Sequence, residues 1–259
     1  MNEFRHISSA DNAQFKQLKK LASSAKERRK SGHSLIDGVH LLQALAHSGG
    51  QPLLLVIRAG SEHHPEFQPW LKQYRELPQL LMDEKLFEQI SPVDTPSGLL
   101  AVVETKVPGQ HHHRFALLLE NIQDPGNLGS ILRSAAAGGV DAVYLSKGCV
   151  DAWSPKVLRA AMGAHFVMAI FERADLPAMT DKFDKVIATH LAGEQSLYDL
   201  DLKRSVAFVF GNEGAGLSNE LTALASHKIR IPMPGQMESL NVASAAAVCI
   251  FERVRQLQR

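Results

Sequence analysis

The sequence predicts an α/β protein in two parts, the second built on a mostly parallel sheet. Three observations carry this expectation. From residue 114 onward, short apolar runs of strand length alternate with helical stretches, the pattern of a parallel sheet covered on both faces. A break rich in Pro, Gly and His, KVPGQHHHR (106–114), divides that region from a shorter α/β stretch before it. With 259 residues, 45% of them apolar and 21% charged, the chain can build a packed core in each part.

In the first part, ADNAQFKQLKKLASSAKERRKSG (10–32) places Phe15, Leu18, Leu21, Ala22 and Ala25 at helical intervals and ends at Gly32, a natural helix stop. LLQALAHSGG (41–50) reads as a helix closed by glycines and PLLLVIRA (52–59) as a strand. HPEFQPWLKQYREL (64–77) and LMDEKLFEQIS (81–91) read as helices, and GLLAVVET (98–105) as a strand. In the second part FALLLEN (115–121), VDAVYLS (140–146), FVMAIFE (166–172), KVIATHL (185–191), SVAFVFG (205–211) and HKIRIPM (227–233) read as strands. Helices are expected over NLGSILRSAAAGG (127–139), SPKVLRAAMGA (154–164, capped by Ser154 with Pro155 first), ADLPAMTDKF (174–183) and SLNVASAAAVCIFERVRQLQ (239–258).

Ligands of such sheets gather outside the carboxyl ends of the strands. Three unusual loops fall there: QDPGNLGSILR (123–133), GNEGAGLS (211–218) and PMPGQMESLN (232–241). The second is glycine-rich but carries neither the Lys of a phosphate-cradling loop nor the spacing of the dinucleotide fingerprint. In the third, Pro232 and Pro234 forbid a continuing central strand, so the chain must leave the sheet before a helix that Ser239 or Asn241 can cap. In the first, Asp124, Pro125 and Asn127 make a turn and helix cap, and Arg133 is a cation on an otherwise apolar or small-residue helix. That arginine can snorkel at the core edge or hold an anion such as phosphate.

Composition narrows the classes. No apolar run is long enough to span a membrane, and the N-terminal residues lack the apolar segment of a secretory signal, so a cytoplasmic protein is expected. Two cysteines, Cys149 and Cys249, fit a reducing compartment and default to burial. The histidine triplet 111–113 lacks metal-ligand spacing and reads as a solvated linker; no metal is expected, and His40, His165 and His190 receive no role. Net charge is +1, yet residues 1–40 hold eight Lys or Arg against four acids, a bias toward a polyanion such as RNA, or a solvated helix face.

Together the three loops resemble the three signature motifs of the SpoU/TrmH family, a branch of the knotted SPOUT class of RNA methyltransferases. Asn127-Leu128-Gly129-Ser130-Ile131-Leu132-Arg133 matches the first motif, Gly211-Asn212-Glu213-Gly214-Ala215-Gly216 the second, and Ile231-Pro232-Met233, Gly235 and Ser239-Leu240-Asn241-Val242-Ala243 the third. KERRKSGHSLIDG (26–38) is similar to the ribosomal-protein-like substrate-binding module of many such enzymes, with Asp37 where the family usually has Glu. The resemblance implies a parallel-sheet SPOUT domain with a deep trefoil knot over 114–259, a linker over 106–113 and an RNA substrate-binding domain over 1–105. It implies S-adenosylmethionine as cofactor, with Thr189, Gly211, Asn212, Gly216, Ile231, Met233 and Leu240 around it. Arg133, Asn127, Glu213, Ser239 and Asn241 become the catalytic set and Lys26, Arg28, Arg29 and Lys30 the RNA contacts. A homodimer is implied, in which Arg133 reaches the partner's cofactor.

The expected reaction is methylation of a ribose 2′-hydroxyl in structured RNA, ribosomal RNA rather than transfer RNA because of the N-terminal module. A guanidinium is a poor general base, so Arg133 is expected to hold RNA phosphate and stabilise developing alkoxide charge, with Glu213 orienting it or another RNA-binding group. Base methylation, transfer RNA as substrate, and an inert RNA-binding protein are the rival readings.

Overall fold

The computed structural model describes residues 4–91, 93, 96–109, 112–190, 193 and 195–258; His111 of the triplet and Leu191 at the end of KVIATHL lie outside them. The first part supplies β1 (Arg5–Ile7), α1 (Ala13–Ser23), α2 (Ala25–Ser31), β2 (His33–Asp37), α3 (Val39–His47), β3 (Leu54–Arg58), α4 (Gln68–Gln73), β4 (Gln79–Met82), α5 (Glu84–Ile90) and β5 (Leu99–Glu104). The second supplies β6 (Phe115–Leu119), α6 (Pro125–Ala137), β7 (Ala142–Leu145), α7 (Pro155–Ala161), β8 (Ala169–Phe171), α8 (Leu176–Thr180), β9 (Lys185–Thr189), β10 (Gln195–Ser196), β11 (Val206–Phe210), α9 (Asn219–Leu224), β12 (His227–Arg230) and α10 (Val242–Leu257).

The chain forms two compact units. One holds the residues up to Lys106 together with Trp153–Phe166; the other holds Val107–Ala152 and Val167 onward. The first unit is a five-stranded mixed sheet of order β1-β4-β3-β5-β2, in which β5 runs antiparallel to both β3 and β2. Phe15, Leu18 and Leu21 of α1 pack with Phe87 and Ile90 of α5 against Leu35, Val56, Leu80 and Leu100 on one face. α7 packs beside β2 in this unit, where the Ser34 hydroxyl donates to the Trp153 carbonyl at 2.6 Å.

Several expected elements are divided. The helix expected over 10–32 breaks at Ser24, which is extended (φ −120°, ψ 110°) and caps α2 by accepting from the Glu27 amide. The break leaves carbonyls of the last turn of α1 open, and Arg28 fills them: it is 4% exposed and its guanidinium donates to Leu21 O at 2.5 Å and Ala22 O at 3.2 Å. Arg28 is therefore a structural cap, and this corrects its assignment as an RNA contact. LMDEKLFEQIS is helical only from Glu84, because Leu81 and Met82 end a buried strand; FVMAIFE is strand only over Ala169–Phe171. HPEFQPWLKQYREL is helical only over Gln68–Gln73.

The second unit carries a seven-stranded sheet of order β10-β12-β9-β11-β6-β7-β8, parallel at every pairing. FALLL and VAFVF, its central strands β6 and β11, are buried throughout, as a sheet with two covered faces demands. Phe208 is fully buried, so truncating it to Ala would cost about 3–5 kcal/mol. The chain leaves β6 toward β7 and β8, then returns through β9 and β11 on the other side. The strand order thus reverses between β6 and β11, and the carboxyl ends of β12, β9, β11 and β6 lie side by side. Cys249 is buried on α10 and burial pushes its thiol far up; Cys149 is only half-buried. Among the described residues no helix is long and apolar enough to cross a membrane, and no group of three His, Cys, Asp or Glu could hold a metal ion.

Candidate active site

The loop after β6 turns into α6 through Asp124, whose carboxylate accepts the Asn127 amide at 2.7 Å, with Pro125 in the first helical position. The loop after β12 turns into α10 through Asn241, whose Oδ1 accepts the Ala243 and Ser244 amides at 2.9 and 3.4 Å. Asn241, not Ser239, is the helix cap. With Oδ1 committed as acceptor, the Asn241 Nδ2 must face outward, and it donates to Asn127 Oδ1 at 2.9 Å. Asn127 Nδ2 in turn donates to Glu213 Oε1 at 3.0 Å. Each amide has one orientation that satisfies this sequence, so the three loops are joined by a chain of fixed polarity, Asn241 to Asn127 to Glu213. Burial of the Glu213 carboxylate opposes ionisation, but hydrogen bonds from Asn127 and from backbone at Glu213, Asp124 and Gln123 outweigh it and hold the carboxyl below its ordinary range.

The GNEGAG loop is stitched by Asn212. Its Oδ1 accepts the Gly214 and Ala215 amides, both at 2.9 Å, and its backbone pairs with Gly216 in both directions. Gly211 must lack a side chain because a Cβ there would lie 2.3 Å from the Gly216 carbonyl carbon. These glycines serve a tight turn at a strand end, not a phosphate cradle.

Beneath the loops is a cavity of about 750 Å³, within the usual size range of small-ligand sites. Thr189, Gly211, Asn212, Gly216, Ile231, Met233 and Leu240 all line it, and so do Asn127, Glu213, Ser239 and Asn241. Leu217, Ile231, Met233 and Leu240 give it an apolar wall. Among the described residues, the backbone amides of Met233 and Leu240 donate to nothing within the chain and remain for a ligand. An apolar slot edged by main-chain donors suits a purine nucleoside, so the residues present fit the adenosyl group of S-adenosylmethionine.

Arg133 is placed apart from these groups. Its side chain is exposed on α6, does not line the cavity, and makes no hydrogen bond or ion pair among the described residues; Glu213 is engaged by Asn127 and Asn212, not by Arg133. In the first unit Lys26, Arg29 and Lys30 are exposed on α2. The cavity also takes His190, which the sequence reading left without a role. It directly follows Thr189 at the carboxyl end of β9, so the strand-end rule pointed to it although no motif did.

Comparison with known proteins matches one family model on each side of residues 102–113. The model of the SpoU rRNA Methylase family matches residues 114–251, and that of the MRM3-like substrate binding domain matches residues 12–101. The chain is 36% identical to the uncharacterized tRNA/rRNA methyltransferase slr1673 of Synechocystis sp., over 98% of this chain and 95% of that protein. It is 33% identical to the 23S rRNA (guanosine(2553)-2′-O)-methyltransferase RlmP of Bacillus subtilis, over 95% of this chain and 98% of that one. The crystal structure of the SpoU methyltransferase AviRb of Streptomyces viridochromogenes in complex with AdoMet superimposes with a TM-score of 0.85 at 26% identity, over 95% of this chain and 98% of that one.

Proposed function

The chain belongs to the SpoU rRNA methylase family, and from that premise we propose that it methylates a ribose 2′-hydroxyl of ribosomal RNA with S-adenosylmethionine as methyl donor. The observation that carries this reading is the Asn241–Asn127–Glu213 chain, which brings three separate loops to the rim of one cavity at the strand-order switch. The relatives named above support ribosomal RNA as the substrate, and the AdoMet-bound neighbour supports the cofactor.

The cofactor, when bound, supplies an electrophilic methyl group on a sulfonium. The chain's own residues have two further tasks: aligning the ribose hydroxyl with that methyl and easing loss of its proton. Ser239 and the Asn127–Glu213 pair, at the cavity wall, position the ribose. Arg133 binds RNA phosphate and stabilises charge developing on the hydroxyl oxygen, acting across a homodimer at the partner's cavity; this accounts for an exposed, unpaired arginine outside its own cavity. Residues 1–105 form the RNA substrate-binding domain, with Lys26, Arg29 and Lys30 meeting phosphate. Residues 106–113 are the linker and 114–259 the methyltransferase domain, whose C-terminal segment passes through an earlier loop as a trefoil knot. The reaction belongs to the cytoplasm.

The test incubates the protein with methyl-labelled S-adenosylmethionine and unmodified ribosomal or transfer RNA, then hydrolyses the product in alkali. Label in an alkali-resistant dinucleotide from ribosomal RNA is the expected result, since a 2′-O-methyl blocks cleavage at its own phosphodiester. Label on single nucleotides would move the target to a base, and label only on transfer RNA would replace the substrate.

A further inference from the structure

We propose that the turn Ser146–Cys149 after β7 is a positioning element for the cofactor site, acting through Asn121: it holds Asn121 so that the Asn121 carbonyl fixes Asn212 and, through it, the Gly211–Gly216 loop. The inference rests on the reading that S-adenosylmethionine occupies the cavity described above. Neither Asn121 nor any residue of the turn lines that cavity, so their influence on it must pass through other groups.

The link begins at Asn212, whose side chain ties the loop together and ties it to Asn121. Its Oδ1 gathers the Gly214 and Ala215 amides, while its Nδ2 donates to the Asn121 carbonyl at 2.9 Å. The Asn212 amide is thus held at both ends, by the Gly214 and Ala215 amides on Oδ1 and by the Asn121 carbonyl, with Glu213 Oε2 at 3.4 Å, on Nδ2. The Asn121 carbonyl is the shorter of the two Nδ2 contacts and anchors the loop bordering the cavity. Asn121 can aim its carbonyl there because its backbone is left-handed, φ 55°, a conformation Asn tolerates better than most residues but one that needs support.

The turn after β7 supplies the support from every side. The Asn121 amide donates to Ser146 Oγ at 2.9 Å, and the same hydroxyl donates to Asn121 Oδ1 at 3.2 Å, so one oxygen acts as acceptor and donor for a single residue. Cys149 brackets the position: its thiol donates to Leu119 O at 3.2 Å and accepts the Ile122 amide at 3.3 Å. Burial pushes that thiol above its ordinary pKa and keeps it a donor. Backbone bonds from Ser146 to Leu119 and from Val150 to Ile122 complete the clamp. Gly148 closes it, for a Cβ there would stand 1.9 Å from Asn121 Oδ1 and 2.8 Å from Cγ. Gly148 does not have a left-handed φ and the three atoms nearest to that Cβ all belong to the Asn121 side chain, so an alanine meets this side chain first.

The experiment is a double-mutant cycle in the full chain with Gly148→Ala and Asn121→Gly, reading the Kd of S-adenosylmethionine by calorimetry and the Tm of each variant. Gly148→Ala should drive out the Asn121 side chain, free Asn212 and raise Kd about tenfold, the loss of one ordered hydrogen bond. Asn121→Gly keeps the left-handed backbone and removes the obstacle, so adding Gly148→Ala to it should change Kd less than about twofold. Ser146→Ala, which adds no bulk, should raise Kd about threefold and serves in place of Gly148→Ala if that variant does not fold. A lowered Tm with unchanged Kd would reduce the turn to ordinary structural support. A double variant that binds as weakly as Gly148→Ala would remove Asn121 from the argument. If the unaltered protein fails to bind S-adenosylmethionine, the assignment of the cavity falls first and the inference with it.

Discussion

Two polar regions of this molecule behave in opposite ways. Asn127, Glu213 and Asn241 are scattered over more than a hundred residues, yet they meet in one hydrogen-bonded chain. Lys26, Arg28, Arg29 and Lys30 lie within five residues, yet they do not share one surface: Arg28 turns inward to carbonyls of α1 while the other three are exposed. The difference lies in what carries them. Loops at neighbouring strand ends can converge whatever their distance in sequence. A helix instead gives each successive side chain its own direction, so a run of cations is divided between core and surface by the period of the helix.

The largest expected effect lies at Arg133, an exposed cation of the second unit that joins neither the cavity nor the hydrogen-bonded chain. Arg133→Ala should lower kcat about 10²- to 10³-fold with the S-adenosylmethionine Kd unchanged, as for a donor that serves only the transition state. Arg133→Lys should recover little of it, because a lysine cannot present two parallel N–H groups to phosphate; full activity in that variant would overturn the role. Next in size is Arg28→Ala. Losing a buried charged donor to two carbonyls should cost about 2 kcal/mol of stability and leave the salt dependence of RNA binding where it was. Replacing Lys26, Arg29 and Lys30 together by Ala should do the reverse: stability moves by less than about 0.5 kcal/mol, while the slope of log K against log salt falls by about 2 to 3. A salt slope that responds to Arg28→Ala as strongly as to the triple variant would mean that the four cations do work together.

Much of the second unit was legible in the sequence, and for a physical reason. Strands buried on both faces must be apolar throughout, so FALLL and VAFVF announce themselves, and the prolines at 232 and 234 mark where β12 has to end. The first unit hid more. β1, β2 and β4 span three to five residues each and lie beside polar or helix-like sequence, so periodicity has too little length to register them. At Ser24 the sequence does hold a local sign of a helix start, Ser24 three residues before Glu27, but the apolar helical spacing runs straight through it and hides the break. The bond from Arg28 to the Leu21 carbonyl shows only in the folded chain. The placement of α7 beside β2 and the left-handed backbone of Asn121 are equally non-local, and no motif carries either. Motifs name the residues at the rim, whereas the groups that hold the rim in place show only in the folded chain.

The smallest expected effect tests whether the chain of the second unit depends on charge. Glu213 ends it as an acceptor, and its carboxyl is held below the ordinary range in the folded protein despite the opposing effect of burial. A depressed folded pKa means the unfolded chain takes up the proton first as pH falls. The stabilising contribution is therefore complete above the unfolded carboxylate pKa, about 4.3, and is lost as pH falls through the folded value. Glu213→Gln keeps an oxygen for Asn127 but cannot titrate. Thermal unfolding of both proteins between about pH 3 and 7 should show the unaltered chain ahead at neutral pH and the gap closing below about pH 4. The gap should be small, because the side chain is largely exposed and solvent screens it. A gap that stays constant into acid would mean that Glu213 contributes only shape to the chain, and the amide pair Asn241–Asn127 would then join the loops without its charge.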